Sequence, residues 1–323
     1  MDELVVVISM VGATLRVATP LILAALGGLY AERSGVVDIG LEGKMLGAAF
    51  AAAAVAAVSG SALVGLAAAI AVSVALALIH AYASVTHNGN QVVSGMAINI
   101  MVAGLAPTLG VAWFHQGGQT PMLKDDARFA PIALPFSREL ADVPLLGPLY
   151  AEVISGHNLL VYLAVAAVPA TAWVVFCTRF GLRLRAVGEN PHAVDTAGVS
   201  VVWLRYRAMI LCGVLCGIAG AYLSTAHSAA FVRDMTAGKG YLALAALIFG
   251  KWMPWPTFLA CLLFAFTDAL QVRLQGVDLF LVGVVPVQFI QAIPYLLTVL
   301  LLAGFVGKAA APRASAIPFV KDR

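Results

Sequence analysis

Apolar residues run along this chain in blocks of about twenty, the length a helix needs to cross the roughly 30 Å hydrocarbon core of a bilayer. Such blocks fall near 5–30, 40–58, 62–86, 91–114, 157–178, 207–227, 255–273 and 280–304. A ninth, at 238–250, falls short of that thickness, its thirteen residues making about 20 Å of helix, and it reads as part of a broken or re-entrant helix that still counts as a crossing between the inserts on either side. The polar run AFVRDMTAGKG, Ala230 to Gly240, leads into it. The pattern predicts an all-α polytopic membrane protein with about 8–10 transmembrane helices, at least one of them broken or re-entrant. Irregular backbone at membrane depth is tolerated only when buried in protein or lining a cavity, so the 238–250 region is a candidate pathway element. No polar stretch exceeds about forty residues, below the usual size of an independent fold, and residues 1–323 read as a single transmembrane domain.

Composition supports the same class and adds orientation. At 62% hydrophobic and 11% charged, with a mean hydropathy of +0.96, the chain has too much apolar surface for a soluble core. The net charge of +3 sits in loops and tail, which argues sidedness rather than nucleic-acid binding. The insert 179–207 carries Arg179, Arg183, Arg185, Arg205 and Arg207 against Glu189 and Asp195, and the tail 305–323 carries Lys308, Arg313, Lys321 and Arg323 against Asp322. Both read as cytoplasmic. The stretch 116–156, with Lys124, Arg128 and Arg138 against Asp125, Asp126, Glu139, Asp142 and Glu152, reads as extracytoplasmic, and counting back puts the N-terminus outside. The first span lacks a basic n-region and is interrupted by Arg16, so it reads as retained rather than cleaved. Cys177, Cys212, Cys216 and Cys261 all lie in apolar spans. Cys212 and Cys216 share a helix face, yet no His or carboxylate joins them at ligand spacing, so no metal site is expected.

Within the basic insert lies a miniature helix signal. Asn190 suits the cap, Pro191 the first helical position, and Gly198 the left-handed exit. The helix so framed has about eight residues and a length of roughly 12 Å. Alone in water it is unstable, so something must pack against it. Polar residues inside the spans are the natural candidates for a solute pathway. Asp268 at a helix centre costs about 2.5–3.5 kcal/mol on insertion scales and normally faces a cavity or a partner. Gln271 follows one turn later on the same face, Asn99 lies in the fourth span, and Gln288 and Gln291 precede Pro294. Amides and carboxylates can hydrogen-bond sugar hydroxyls or base edges, or bond helix to helix, and both readings stay open. Trp113, Phe114, Trp252 and Trp255 fall near span ends, as an interfacial belt does.

Several motifs carry a family resemblance. The segment GLRLRAVGENPHAVDTAGVSV followed by GVLCGIAGAYLS is similar to the cytoplasmic signature of permeases in the branched-chain amino acid, ribose and nucleoside group of ATP-binding-cassette importers. TPLILAALGGLYAERSGVVDIGLEGKMLGAAFAA narrows the likeness to the nucleoside and simple-sugar branch, and NQVVSGMAIN, LFAFTDALQVRLQ and IPYLLTVLLLAG extend it over nearly the whole chain. Two positions depart from the pattern: Asp38 stands where Asn is usual, and Lys44 where an apolar residue is usual.

The resemblance implies a transport subunit of the prokaryotic inner membrane, not an enzyme, that moves nucleosides or, second, simple sugars. Branched-chain amino acids and ion-coupled secondary transport are the alternatives. It implies a short cytoplasmic helix docking on a separate ATPase, a role that falls to Gly188, Glu189, Asn190, Pro191, His192 and Ala193, with the flanking arginines anchoring the insert at lipid headgroups. The implied partners are ATPase subunits, a second permease (unlike or identical) and an extracytoplasmic binding protein. No G-x-x-x-x-G-K-[ST] occurs in the chain, so ATP and its Mg²⁺ belong to the partner and no cofactor is expected here. Glu32, Arg33 and Glu42, between the first two spans, either hold the turn or contact the ATPase, and the structural role is preferred.

Overall fold

The computed structural model describes residues 2–135, 143, 146–274, 278–279, 283–284, 292, 296 and 310–321. Four long helices come first: α1 (Asp2–Arg33), α2 (Leu41–Ser59), α3 (Ala62–Ala81) and α4 (Gln91–Phe114). A largely irregular excursion follows, holding strand β1 (Pro131–Ile132), the single turn α5 (Leu146–Leu149) and strand β2 (His157–Asn158), which pairs antiparallel with β1. Next come α6 (Leu159–Cys177), α7 (Arg179–Glu189), α8 (Pro191–Thr196), α9 (Val201–Ala221), α10 (Lys239–Phe249) and α11 (Pro254–Leu274). A second antiparallel pair joins β3 (Asp278–Leu279) to β4 (Gly283–Val284).

Six helices among the described residues are long and apolar enough to cross a membrane. π-Helical turns lengthen two of them, so that the spans run Ala62–Thr86 and Val201–His227. The apolar blocks locate these helices closely, except that α9 starts at Val201 instead of 207. α11, with 21 residues, covers the block at 255–273. The block at 280–304 lies outside the described residues apart from its isolated positions.

Burial sorts the helices into centre and rim. The most apolar stretches of α2 and α9 are 78% buried, against 33% for α3, α4 and α6. Small side chains explain the difference, because lipid offers no hydrophobic drive between helices and close backbone approach supplies the attraction instead. α2 is built on the run AAFAAAAVAA. On α9, a Cβ added to Gly213 would lie 2.7 Å from Val74 Cα, and one on Gly217 would lie 2.7 Å from Ile70 Cα. Only glycine lets α3 lie this close.

The short apolar segment forms α10, eleven residues or about 16 Å. The polar run before it is non-helical as far as Gly238, with Asp234, Ala237 and Gly238 at φ 54°, 47° and 79°. Backbone groups at its start, Ala229 and Phe231, pair with the excursion after α4. Leu123 N donates to Ala229 O at 2.6 Å, Thr120 N to Phe231 O at 3.2 Å, and Phe231 N to Thr120 Oγ1 at 2.9 Å. Protein therefore shelters the start of the run, where Phe231 is buried, while Val232, Arg233, Asp234 and Ala237 are exposed.

Candidate functional site

Two polar regions stand out, one within the helix bundle and one at its end. The inner one gathers around the linker 34–40 and the first turn of α2. Asn99 lies eight residues into α4, roughly 12 Å from its start. Its Oδ1 accepts from Gly43 N at 2.8 Å, while its Nδ2 donates to Ile39 O at 3.0 Å and to Tyr241 Oη at 2.9 Å. Glu42 reaches across to α10, accepting from Gly238 N at 2.8 Å and Gly240 N at 2.6 Å. A carboxylate there satisfies two of the unpaired N–H groups that open a helix and matches its dipole. Glu42, Gly43, Asn99, Asp234, Thr236 and Tyr241 border a cavity of about 330 Å³. Asn99 thus bonds three elements together and also borders the cavity.

The other proposed pathway residues are not brought there. Asp268 and Gln271 are half-buried on α11 and do not border this cavity; Lys239 is the cation acting on Asp268. Gln288, with Gln291, lies outside the described residues. Glu42, Thr236 and Tyr241 were not singled out for this role, although the short block and the polar run before it pointed to their neighbourhood.

Beneath the cavity the two departures from the family pattern meet. Asp38 Oδ2 accepts from the Lys44 ammonium, both side chains fully buried, and from Cys212 Sγ at 3.3 Å. Its Oδ1 accepts from Gly40 N at 3.0 Å. His80 Nε2 lies 3.1 Å from Val37 O and its Nδ1 3.0 Å from Ser94 Oγ, while Gln91 Oε1 accepts from Val37 N at 2.6 Å. The linker is held from α3, α4 and α9 at once. Nothing local in the sequence pairs the two charges, and the available signal is two departures of opposite sign six positions apart. Cys212 is a hydrogen-bond donor here, and all four cysteines are free.

The charges at the end of α1 bond to the chain beyond α10. Glu32 accepts from the Trp252 indole N–H, and Arg33 donates through Nε and Nη2 to Trp252 O at 2.9 and 2.7 Å. They do not pair with each other; together they hold the chain leaving α10. Trp252 is 6% exposed, which corrects its placement in an interfacial belt. Trp113 and Trp255 are exposed as expected.

At the bundle end, the basic insert is helical nearly throughout, so the loop expected at 179–207 is instead α7, α8 and the start of α9. Asn190 Oδ1 accepts from Ala193 N at 3.1 Å, Pro191 occupies the first turn, and Gly198 has φ 75°. The caps are those read from the sequence; the helix, at six residues, is shorter. Glu189, Asn190, His192 and Ala193 are exposed, whereas Gly188 and Pro191 are buried. A groove of about 510 Å³ is bordered by Leu182, Arg183, Ala186, Glu189, Asn190 and Ala193. Arg179, Arg183 and Arg207 are exposed, the last stacked 4.9 Å from the Trp203 ring. Arg205 is different. It is 1% exposed and donates to Ser34 O at 3.2 Å, because its position on α9 faces the linker, so it anchors backbone and not headgroups.

Comparison with known proteins bears directly on this arrangement. The chain is 36% identical over 100% of both chains to a guanosine ABC transporter permease protein, NupQ, of Bacillus subtilis. It is 36% identical to a nucleoside ABC transporter permease protein, NupC, of Lactococcus lactis, over 95% of each chain. A putative glucose ABC transporter permease protein, TsgC13, of Haloferax volcanii is also 36% identical, over 84% of this chain and 79% of that one. Residues 10–305 match the family described as branched-chain amino acid transport system / permease component. With a bundle of membrane-length helices, a broken helix beside a polar cavity and a capped stub at the bundle end, the chain belongs to that family of permeases.

Proposed function

We propose that this chain moves nucleosides through the membrane as one permease subunit of an ATP-binding-cassette importer, with simple sugars the second candidate. The full-length likeness to guanosine and nucleoside permeases carries the reading. The cavity supports it: about 330 Å³ is within the size range of small-molecule sites, and its amide, phenol and carboxylates suit hydroxyl and amino groups. The stub 188–193 docks on the ATPase, in which ATP and Mg²⁺ are bound. The insert 179–207 and the tail 305–323 then lie in the cytoplasm and the excursion 116–156 outside, where a binding protein delivers the solute.

A second permease faces α4. Met96 and Ile100, 39% and 70% exposed, border the polar cavity, and hydrocarbon against Glu42 and Asp234 is unfavourable. A partner helix closes the cavity at lower cost.

Reconstitution with the ATPase and binding protein tests the reading. Labelled guanosine is expected to accumulate only with ATP. Selective uptake of leucine would overturn the solute assignment, and uptake driven by a pH gradient without ATP would replace the mechanism with ion coupling. A second expectation concerns the cap. Asn190→Ala removes the bond to Ala193 N and is expected to weaken α8 by about 1 kcal/mol, lowering solute-stimulated ATPase about fivefold at unchanged basal rate. Parental stimulation in that variant would count against α8 as the docking element.

A further inference from the structure

The stub α8 is too short to hold itself, and it is packed against α7, α9 and the C-terminal tail. Phe319, 8% exposed, is buried in one apolar cluster with Val187, Val194, Val201 and Leu204, which unites the tail with α7, α8 and α9. Its ring centroid lies 5.2 Å from that of His192. Lys321 Nζ lies 3.5 Å from Asp195 Oδ1, at the far end of α8.

The same tail also grips the linker that leads to the cavity. Ala314 N donates to Gly188 O at 2.8 Å, and Ala316 N to Gly35 O at 3.2 Å. Arg205, already bonded to Ser34 O, reaches Ile317 O at 3.4 Å through Nη2. A Cβ on Gly35, whose φ is 83°, would lie 2.9 Å from Ala314 O. Three residues beyond Gly35 comes Asp38 of the buried ion pair, and four further on comes Glu42, which caps α10. A continuous line of contacts therefore runs from α8 through the tail and linker to the cavity.

We propose that Phe319 is a positioning residue for transport: the tail 310–321 is a strap that seats α8 and carries its displacement to the linker 34–38. This rests on α8 being the element that meets the ATPase. Physical adjacency alone does not establish coupling between sites, so the test must read coupling itself.

In the reconstituted complex, Phe319→Ala is expected to leave basal ATPase within about twofold of parental and to lower solute transported per ATP about fivefold, with Phe319→Leu restoring most of it because an apolar plug remains. Lys321→Glu, at a side chain 73% exposed, avoids disturbing the apolar cluster. It is expected to lower the same ratio about twofold, and Asp195→Lys in the same chain to restore it. Unchanged solute per ATP in both Phe319→Ala and Lys321→Glu overturns the strap; if Phe319→Ala does not accumulate, the Lys321 and Asp195 exchange decides alone. A Cys crosslink from Ala193→Cys to the ATPase separates the two readings. If it forms in the parent while the ratio ignores the tail, the strap fails and the docking role stands; if it never forms in an active complex, the docking role fails first.

Discussion

Replacing Lys44 by Met is expected to cost about 3–5 kcal/mol of stability, because it strands the Asp38 carboxylate buried away from solvent without its counter-charge. Both members of the pair are fully buried, and the remaining donors to Asp38, Gly40 N and Cys212 Sγ, cannot replace a full charge. The double variant Asp38→Asn, Lys44→Met is expected to return to within about 1 kcal/mol of the parent, since a buried pair exchanged for neutral groups of similar size is often neutral or stabilising. It is also the combination nearest the usual family pattern, Asn followed by an apolar residue. Thermal unfolding of the purified permease in detergent, with membrane accumulation alongside, measures both. Equal stability of parent and Lys44→Met would remove the argument, as would a double variant no better than the single.

The second large effect is at Asn99. Asn99→Leu keeps the approximate volume but leaves Gly43 N, Ile39 O and Tyr241 Oη without their partner. A buried group left unpaired costs about 1–3 kcal/mol, a cost that falls on Gly43 N of α2 and Ile39 O of its linker, since Tyr241 on α10 is 42% exposed. Initial uptake in proteoliposomes is expected to fall by about two orders of magnitude, equivalent to about 2.8 kcal/mol. Tyr241→Phe removes one of these bonds only and is expected to reduce uptake a few-fold. Uptake at the parental rate in Asn99→Leu would show that the cavity wall is not set by this amide.

How much of this was legible in the sequence divides along chain distance. The blocks at 40–58 and 91–114 locate α2 and α4 within a residue or two, because bilayer thickness imposes a length that needs no tertiary information. The α8 caps were readable for a similar reason: Asn190, Pro191 and Gly198 act within one turn of themselves. What bonds over long separations was not. Glu42 meets Gly238 across 196 positions and Asp38 meets Cys212 across 174, and no periodicity encodes such pairs. Trp252 and Arg205 were misplaced on the same account. An aromatic or basic residue near a span end looks alike whether it faces headgroups or, as here, Glu32 and Ser34.

The distance between Asp38 and Cys212 has a consequence for biosynthesis. Ribosomes add about 5–20 residues per second, so the 174 positions separating them mean that α2 waits roughly 9–35 s in the bilayer before α9 is made to cover it. During that interval the ammonium six residues ahead is already at hand to neutralise the Asp38 carboxylate. The charge pair is local to one turn, so its formation does not have to wait for α9.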